Sequence, residues 1–256
     1  RDFARYVWQG EDLPLIDGFG DLLGRLAAGL PIAFDSAVTQ IDWHEAARVK
    51  ISGPRGTLTC RRVIVTVSTG VLASNALRFR PALPPATREA IHRLPMGHCN
   101  KLALAFTRPV FGDDDPALLV PAGADAAPLE LLIRPGGREL AVAVMSGDFG
   151  RALAAAGVEA ARDLVLTQLV GLFGAALRQA LAPAALLVNW DEAPWVRGYV
   201  AAPGPGDADA RAALAMPVAE RIFFAGEATS LTAMGDAHGA WRCGEAAAVA
   251  AARGLV

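Results

Sequence analysis

The sequence predicts a mixed fold, with α/β and α+β elements divided between two domains that share the chain. The stretch RIFFAGEATS (221–230) is typical of a buried strand with a Gly-Glu turn, and an Ala-rich helix follows it. The run RRVIVTVS (61–68) is continuously apolar, as in a parallel strand covered by helices on both faces. Strands and helices alternate irregularly over the 256 residues, without an internal repeat or a low-complexity linker. This irregular order indicates two domains between which the chain crosses back and forth.

The composition is that of a globular protein and excludes several classes of function. Hydrophobic residues make up 53% of the chain and charged residues 20%, and the net charge is −2. This charge gives no electrostatic argument for binding nucleic acid or an anionic membrane. The three cysteines are scattered without a CxxC pair, so we expect buried free thiols and no metal site. No apolar run has the length of a membrane span and no signal peptide opens the chain, so we expect a soluble, cytoplasmic protein.

The N-terminal part predicts one helix and a small group of strands. DGFGDLLGRLAAGL (17–30) indicates a Gly-rich turn and a short helix with leucines along one side. Gly53 to Gly56 form the turn signal of a hairpin. Around it, alternating apolar and polar residues predict strands near residues 38–43, 47–52 and 57–60.

The middle of the chain predicts a helix, an alternating strand, a hairpin and a longer helix. LPPATREAIHRL (83–94) begins with prolines and continues as an amphipathic helix, and NKLALAFTR (100–108) alternates strictly. LELLIRPGGRELAVAVMSG (129–147) predicts a hairpin that turns at Pro135 to Gly137. In the helix predicted over 158–177, the apolar stripe consists of Ala161, Val165, Leu169, Leu172 and Phe173. LLVNWDEAPWVRGYV (186–200) then predicts a strand that leads into a Trp-rich loop.

The turn at Gly226 and Glu227 is the first candidate for chemistry. Gly226 has no side chain, which allows the backbone to pass close to another group. Glu227 places a carboxylate at a strand end. A carboxylate there suits sugar-like or ribityl hydroxyls, because it accepts hydrogen bonds. The alternative is a turn glycine followed by a helix-capping acid.

The helix that begins near Asp236 to Gly239 is a second candidate. Its small first residues would let a flat ring system approach the positive end of the helix dipole. The alternative is an ordinary packing helix capped by Asp236.

Other residues are ambiguous when considered singly. Lys101 lies beside Ala103 and Ala105 on one strand face, which is also expected of a solvent-facing lysine on an edge strand. Trp190 and Trp195 are either core residues or an aromatic wall. His98 and His238 are interpreted as lone histidines, outside any triad or metal site.

The order of these signals resembles the flavin-containing amine oxidase family, which includes monoamine oxidases, polyamine oxidases, L-amino-acid oxidases and lysine-specific histone demethylases. The matching blocks, from about residue 11 to the end, are LIDGFGDLLGRLAAGLPIAFDSAVTQIDW, CRRVIVTVSTGVLASNALRFRPALPPATREAIHRLPMGHCNKLALAF, WDEAPWVRGY, RIFFAGEATS and AHGAW. The resemblance implies the C-terminal part of a two-domain fold, with interleaved FAD-binding and substrate domains. We assign residues 11–72 and 215–256 to the FAD-binding domain and residues 73–214 to the substrate-binding domain.

The resemblance also implies roles for individual residues and a reaction. Lys101 matches the catalytic lysine that holds a water near flavin N5. The residues matched to cofactor binding are Val38, Trp195, Gly226, Glu227, Asp236, Ala237 and His238. Residues matched to the substrate site are Tyr199, Val200 and Asp236. The implied reaction removes hydride from an amine-bearing carbon, and oxygen then reoxidises the flavin to give hydrogen peroxide.

The sequence departs from the family pattern at several points. The N-terminal GxGxxG unit is absent, so either a second chain supplies that FAD-binding half or the chain is a fragment that holds FAD poorly. The pair of aromatics that frames the amine in many members is replaced by Val200 and Asp236, with Tyr199 adjacent, and an acid there could pair with a cationic substrate. Tyr199 also stands where covalent-flavin members have cysteine, which predicts noncovalent FAD, and Ser68 replaces a common proline.

Two alternatives to an amine oxidase stay open. One is a catalytically inactive remnant or regulatory subunit of the same fold. The other is a desaturase or a protoporphyrinogen-oxidase-like flavoenzyme, against which the Lys101 strand and the Trp195 loop argue.

Overall fold

The computed structural model describes residues 6, 15, 18–112, 116–123 and 126–255. These residues form two compact units, each with its own core. Unit 1 contains the described residues of 1–10, 31–97 and 194–256, and unit 2 contains those of 11–30 and 98–193.

The described strands are short, with the longest in unit 2. They are β1 (Gln40–Asp42), β2 (Val49–Gly53), β3 (Gly56–Cys60), β4 (Val63–Val65), β5 (Arg78–Arg80), β6 (Cys99–Phe106), β7 (Ala117–Leu119), β8 (Leu129–Ile133), β9 (Leu140–Ser146), β10 (Leu181–Val188) and β11 (Ile222–Phe224).

The described helices include two of sixteen residues. They are α1 (Phe19–Ala27), α2 (Thr69–Ala73), α3 (Pro85–His92), α4 (Gly147–Ala155), α5 (Val158–Phe173), α6 (Leu177–Ala180), α7 (Ala210–Ala215) and α8 (Ala237–Ala252), with single 3-10 turns at Pro135–Gly137 and Glu227–Thr229.

Unit 1 has a four-stranded mixed sheet in the order β3-β2-β1-β5. The hairpin predicted at Gly53 to Gly56 is confirmed, because these two residues face each other at the turn between β2 and β3. β1 pairs antiparallel with β2 and parallel with β5. The unit 1 core combines residues of this sheet with others from α3, α7 and β11.

A separate parallel pair, β4 and β11, carries the apolar runs singled out in the sequence. Val63 faces Ile222 and Val65 faces Phe224, so the two strands end side by side although 159 positions separate the paired residues. The predicted parallel pairing is confirmed. Burial on both faces holds for β11, whereas in β4 only Val65 is fully buried.

Unit 2 is built on a five-stranded antiparallel sheet in the order β10-β6-β9-β8-β7. The hairpin predicted at Pro135 to Gly137 joins β8 and β9 as expected. β6, β8 and β9 alternate between buried and more exposed residues, and their buried faces share one core with Ala161, Val165 and Leu169 of α5. Leu172 of the predicted stripe is 47% exposed, whereas the neighbouring Phe173 packs against the core in the same turn of α5.

Two further expectations from the sequence need correction. β6, which carries Lys101, lies inside its sheet and is not an edge strand. Cys99 is buried as expected, but Cys60 and Cys243 are only half-buried. In the part of the chain that the structure describes, no helix combines the length and apolarity needed to cross a membrane.

Candidate functional site

A pocket of unit 1 opens where β4 and β11 end. Its floor comes from Val65 and Phe224, the last residues of the two parallel strands, and its volume is about 300 Å³. Open α/β sheets bind ligands at the carboxyl ends of their strands, so this is the expected position for a site. The lining residues are Val65, Thr66, Val67, Ser68, Thr69, Leu72, Met96, Trp195, Val196, Tyr199, Leu214, Phe224, Ala225, Gly226, Glu227, Ala228, Thr229 and Ala240.

Gly226 gives the backbone its turn at the pocket wall. Its φ of 137° lies in the region that favours glycine, and a Cβ there would have no atom within 4 Å. The adjacent space is therefore open to a ligand. Thr229 closes the turn, since its amide and its hydroxyl both donate to the Gly226 carbonyl, at 3.1 and 2.9 Å.

The Glu227 carboxylate accepts two backbone hydrogen bonds. Oε1 accepts from the Ala201 amide at 2.7 Å, and Oε2 accepts from the Gly235 amide at 3.1 Å. Burial raises the pKa of this carboxyl, and the Ala201 amide, Arg211 and the Gly235 amide oppose the rise. Glu227 therefore joins two loop segments of unit 1 as well as lining the pocket.

Arg211 supports Glu227 from the interior. Its side chain is 2% exposed, and its Nη1 lies 3.7 Å from Glu227 Oε2. It also donates to the carbonyl oxygens of Ala201 at 2.7 Å and of Glu227 and Ala228 at 3.3 Å each. No periodicity or motif in the sequence singled out this arginine.

The outer wall of the pocket is aromatic. Trp195 and Tyr199 both line it and are 68% and 46% exposed. Gly198 lies between them in the chain, and a Cβ on it would approach the Met96 Cβ to 2.3 Å, so the close approach of the two segments requires glycine.

Ser68, the residue that replaces a common family proline, connects this wall to the pocket floor. Its hydroxyl donates to the Val196 carbonyl and accepts from the Val71 amide, which caps α2. A proline can make neither contact, so this departure has a structural use of its own.

The predicted residues at the start of α8 lie beside Val200. Asp236 precedes the helix, and its side chain makes no capping bond, contrary to the capping alternative. Its carboxylate accepts a hydrogen bond from the Tyr6 hydroxyl. Ala237 and His238 are exposed in the first turn of the helix. A Cβ on the neighbouring Gly235 would lie 3.5 Å from Val200 Cγ1, so the two segments pass close to each other.

Val38 lines a different cleft of unit 1, with a volume of about 370 Å³. The cleft is formed with the β2–β3 hairpin, and the Thr39 amide donates to the Ser52 carbonyl at 2.9 Å. The structure thus gathers Trp195, Tyr199, Gly226 and Glu227 in one pocket and leaves Val38 in another.

Lys101 belongs to unit 2 and is exposed on the sheet face opposite the buried core. In the sheet register it stands between Val188 of β10 and Val144 of β9. Lys101 therefore has a valine opposite it on each neighbouring strand.

A polar cluster of unit 2 was missed in the sequence. The Nδ1 of His98 and the Oδ1 of Asp191 lie 2.6 Å apart, so His98 is not the lone histidine that was expected. The buried Asn100 side chain donates to Asp191 Oδ2 at 2.7 Å and accepts from the Trp190 amide at 2.9 Å. Because His98 and Asp191 are 93 positions apart in the sequence, local residue spacing does not reveal this pair.

The unit 1 pocket fits the ring portion of a flavin. Its apolar floor, exposed aromatics and open glycine turn suit a flat ring, and its volume is at the lower end of ligand pockets, too small for a whole dinucleotide. Among the described residues, no group of three or more His, Cys, Asp or Glu is arranged to hold a metal ion.

Comparisons with known proteins point to one family. A family model described as flavin containing amine oxidoreductase matches residues 3–252. Polyamine oxidase 4 of Oryza sativa subsp. japonica is 31% identical over 238 residues, which are 91% of this chain and 48% of that protein. Lysine-specific histone demethylase 1 homolog 2 of Arabidopsis thaliana is 29% identical over 252 residues, which are 93% of this chain and 33% of that protein.

Solved structures agree in fold. Cyclohexylamine oxidase from Brevibacterium oxydans IH-35A is 26% identical with a TM-score of 0.71, and the match covers 92% of this chain and 51% of that one. A putrescine oxidase mutant has a TM-score of 0.78 at 19% identity, covering 93% and 53%. The chain thus spans about half the length of the polyamine oxidase and of the two solved oxidases.

Proposed function

The chain belongs to the flavin-containing amine oxidoreductase family, and from this premise we propose that it supplies the flavin-ring side and the substrate side of an FAD-dependent amine oxidase. The observation that supports this most is the pocket at the ends of β4 and β11, with its aromatic wall and its open turn at Gly226. The pocket lies at the place where open α/β sheets bind cofactors.

In this proposal FAD is held without a covalent bond. Trp195 and the Gly226–Glu227 turn would contact the flavin end, and the cleft at Val38 would receive the adenine end. Ala237 and His238 would contribute the first turn of α8, where the helix dipole favours negative charge. When bound, the flavin supplies a hydride acceptor for the amine-bearing carbon. Tyr199 follows Gly198 where a cysteine would be needed for a covalent link.

Lys101 is the proposed catalytic residue of unit 2. An ammonium group offers three donors, so Lys101 can hold and orient a water molecule. Val188 and Val144 stand opposite it on the neighbouring strands. The amine must be neutral when it reacts, because a protonated amine has no lone pair to stabilise positive charge on carbon.

Tyr199, Val200 and Asp236 are the proposed substrate residues. The Asp236 carboxylate gives the site a negative charge where many members have an aromatic ring. An amine with a second, cationic nitrogen would pair with it, as in the polyamines that relatives of this chain are named for. The Tyr6 hydroxyl donates one hydrogen bond to Asp236, and the carboxylate keeps further acceptor sites for the substrate.

The diphosphate of FAD requires a Gly-rich turn at a helix N-terminus, and the 256 residues contain no GxGxxG. We therefore include in the proposal a GxGxxG-bearing half that completes the cofactor site, carried on a second chain or on a further part of the same polypeptide. The assignment of residues 11–72 and 215–256 to FAD binding and of 73–214 to the substrate remains a prediction, as does a cytoplasmic location.

The first experiment measures bound flavin and peroxide release. We expect flavin absorption from the protein, alone or with its complementary half, and peroxide from diamines but none from polyenes. Polyene oxidation would favour a desaturase-like enzyme. Absence of flavin in both samples would favour an inactive, regulatory subunit.

Substitution of Lys101 tests the catalytic role. Lys101→Met should slow flavin reduction or reoxidation roughly a hundredfold, the size of a lost proton-transfer or water-orienting group. Lys50→Met is the matched control, since Lys50 forms a surface ion pair with Glu45. An unchanged rate in Lys101→Met would refute the role of Lys101.

A further inference from the structure

Glu227 joins the two segments that carry Val200 and Asp236. One carboxylate oxygen binds the amide of Ala201, the residue after Val200, and the other binds the amide of Gly235, the residue before Asp236. A single side chain therefore spans both proposed substrate positions.

Arg211 binds backbone carbonyl groups near Glu227, whereas Glu227 binds backbone amides. Ala201 donates its N–H to Glu227 and accepts at its carbonyl from Arg211, so both of its hydrogen-bonding groups are fixed by this ion pair. Arg211 also binds the carbonyls of Glu227 and Ala228, which keeps the turn that carries the carboxylate in place. Arg211 and Ala201 are 2% and 3% exposed, so water competes little for these bonds.

The two segments that Glu227 joins differ in how they are held. Three backbone hydrogen bonds, from the amides of Gly97, Tyr199 and Ala202, tie the Val200 segment to residues 95–97. Gly235 lies in the loop that leads into α8, where a Cβ would come within 3.5 Å of Val200 Cγ1, so the loop passes close to Val200. Charge-assisted bonds to the carboxylate are directional, so they set this spacing more tightly than apolar contact alone.

We propose that Glu227 and Arg211 are positioning residues, which fix the separation of Val200 and Asp236 and thereby determine which amines fit between them. The inference rests on the proposed function, which places Val200 and Asp236 beside the substrate. Each carboxylate oxygen keeps a second lone pair, so this role is compatible with a contact between Glu227 and a cofactor hydroxyl.

Glu227→Gln tests the hydrogen bonds from the Ala201 and Gly235 amides to Glu227, and the test needs no cofactor. A glutamine has one acceptor oxygen, and its NH₂ group cannot accept from a second amide. Amide hydrogen exchange in the chain should therefore accelerate roughly tenfold at Ala201 or Gly235, the effect of losing one charge-assisted bond. Exchange at Thr229, whose amide bonds to the Gly226 carbonyl, should stay as in the wild type.

The same variant in the FAD-loaded protein tests the consequence for specificity. We expect the ratio of kcat/KM between a linear diamine and a cyclic monoamine to change roughly tenfold, because displaced substrate residues misplace the reacting carbon. The rates are expressed per bound flavin, so that any change in cofactor affinity at Glu227 does not enter the ratio. Glu227→Asp, one methylene shorter, should behave like Glu227→Gln because it cannot span both amides.

Glu245→Gln is the matched control, an identical change at an exposed position of α8. Unchanged exchange at both amides or an unchanged ratio would each overturn the proposal. Wild-type protein without flavin or peroxide would overturn the proposed function instead, and the exchange rates would still decide whether Glu227 joins the two segments.

Discussion

Unit 2 fills its core with apolar side chains from one antiparallel sheet and the helices on it, whereas unit 1 divides its strands between two small sheets and buries polar groups among them. Among the described residues, Asn100 is the buried polar residue of unit 2. Those of unit 1 are Thr69, Thr87, Arg211, Thr229 and Ser230.

This difference shows how each unit defines its structure. A buried polar group is costly unless it is hydrogen-bonded, so the groups of unit 1 require particular partners in particular directions. Thr229 binds the Gly226 carbonyl, Ser230 Oγ accepts from the Ala233 amide, and Thr69 contacts the sulfur of Met96. Unit 1 thus adds directional bonds around its pocket to its apolar core, whereas unit 2 depends mainly on the volume and pattern of its apolar side chains.

Removal of the buried charge of unit 1 should have the largest effect on stability. Arg211→Met leaves Glu227 and three carbonyls without their partner, and we expect a loss of about 3–5 kcal/mol in the free energy of unfolding. Urea unfolding measures the loss, and hydrogen exchange shows whether it is confined to β11 and α7.

Arg242→Met is the control for this change, since Arg242 is exposed on α8 and should cost within about 0.5 kcal/mol. A loss equal to that of the control would show that the buried polar groups do not determine unit 1.

An apolar truncation should affect unit 2 somewhat less. Leu131 of β8 is fully buried, so Leu131→Ala should cost about 3 kcal/mol through lost burial and a residual cavity. Exchange of β8 and β9 amides should report the change, while β4 and β11 stay protected.

Leu118→Ala, at a leucine that is 60% exposed on β7, is the matched comparison and should be nearly neutral. Equal losses in the two leucine variants would contradict a core determined by apolar volume.

The smallest effect concerns the pH dependence of unit 1. Burial raises the pKa of Glu227 above its ordinary 4.5, with the Ala201 amide and Arg211 in opposition. The folded state therefore binds this proton more tightly than the unfolded state. The associated stability is complete below pH 4.5 and is lost as the pH rises through the raised pKa.

The free energy of unfolding of the wild type, relative to Glu227→Gln, should accordingly fall as the pH rises from 4.5. Other carboxyls change stability with pH in the opposite direction, such as Asp42 and Glu45, whose pKa values are lowered by His44 and by Lys50. Their contribution is the same in the wild type and in the variant, so it cancels in the difference. A difference that is constant, or that grows with pH, would contradict the assignment.

Sequence patterns predicted the features that depend on neighbouring residues. The turns at Gly53–Gly56 and Pro135–Gly137 and the start of α8 after Asp236 all follow from local turn chemistry and periodicity. The stripe on α5 failed only at Leu172, which is exposed although Phe173 beside it packs against the core.

Contacts between distant residues could not be predicted in this way. Arg211 is buried because three carbonyls from two other segments surround it, and His98 has a partner 93 positions away. The candidate site was predicted in part, since the Gly226–Glu227 turn and the Trp195 loop do line one pocket. The roles of Lys101 and Val38 stay predictions, because they rest on the family resemblance.

The adjacency of His98 and Asp191 has a consequence for how this protein can change. Residues 98–193 begin and end on neighbouring strands, with Lys101 of β6 opposite Val188 of β10. Joining two ends that already lie together costs little loop-closure entropy. We therefore expect changes in the length of residues 98–193 to add little loop-closure entropy between residues 97 and 194.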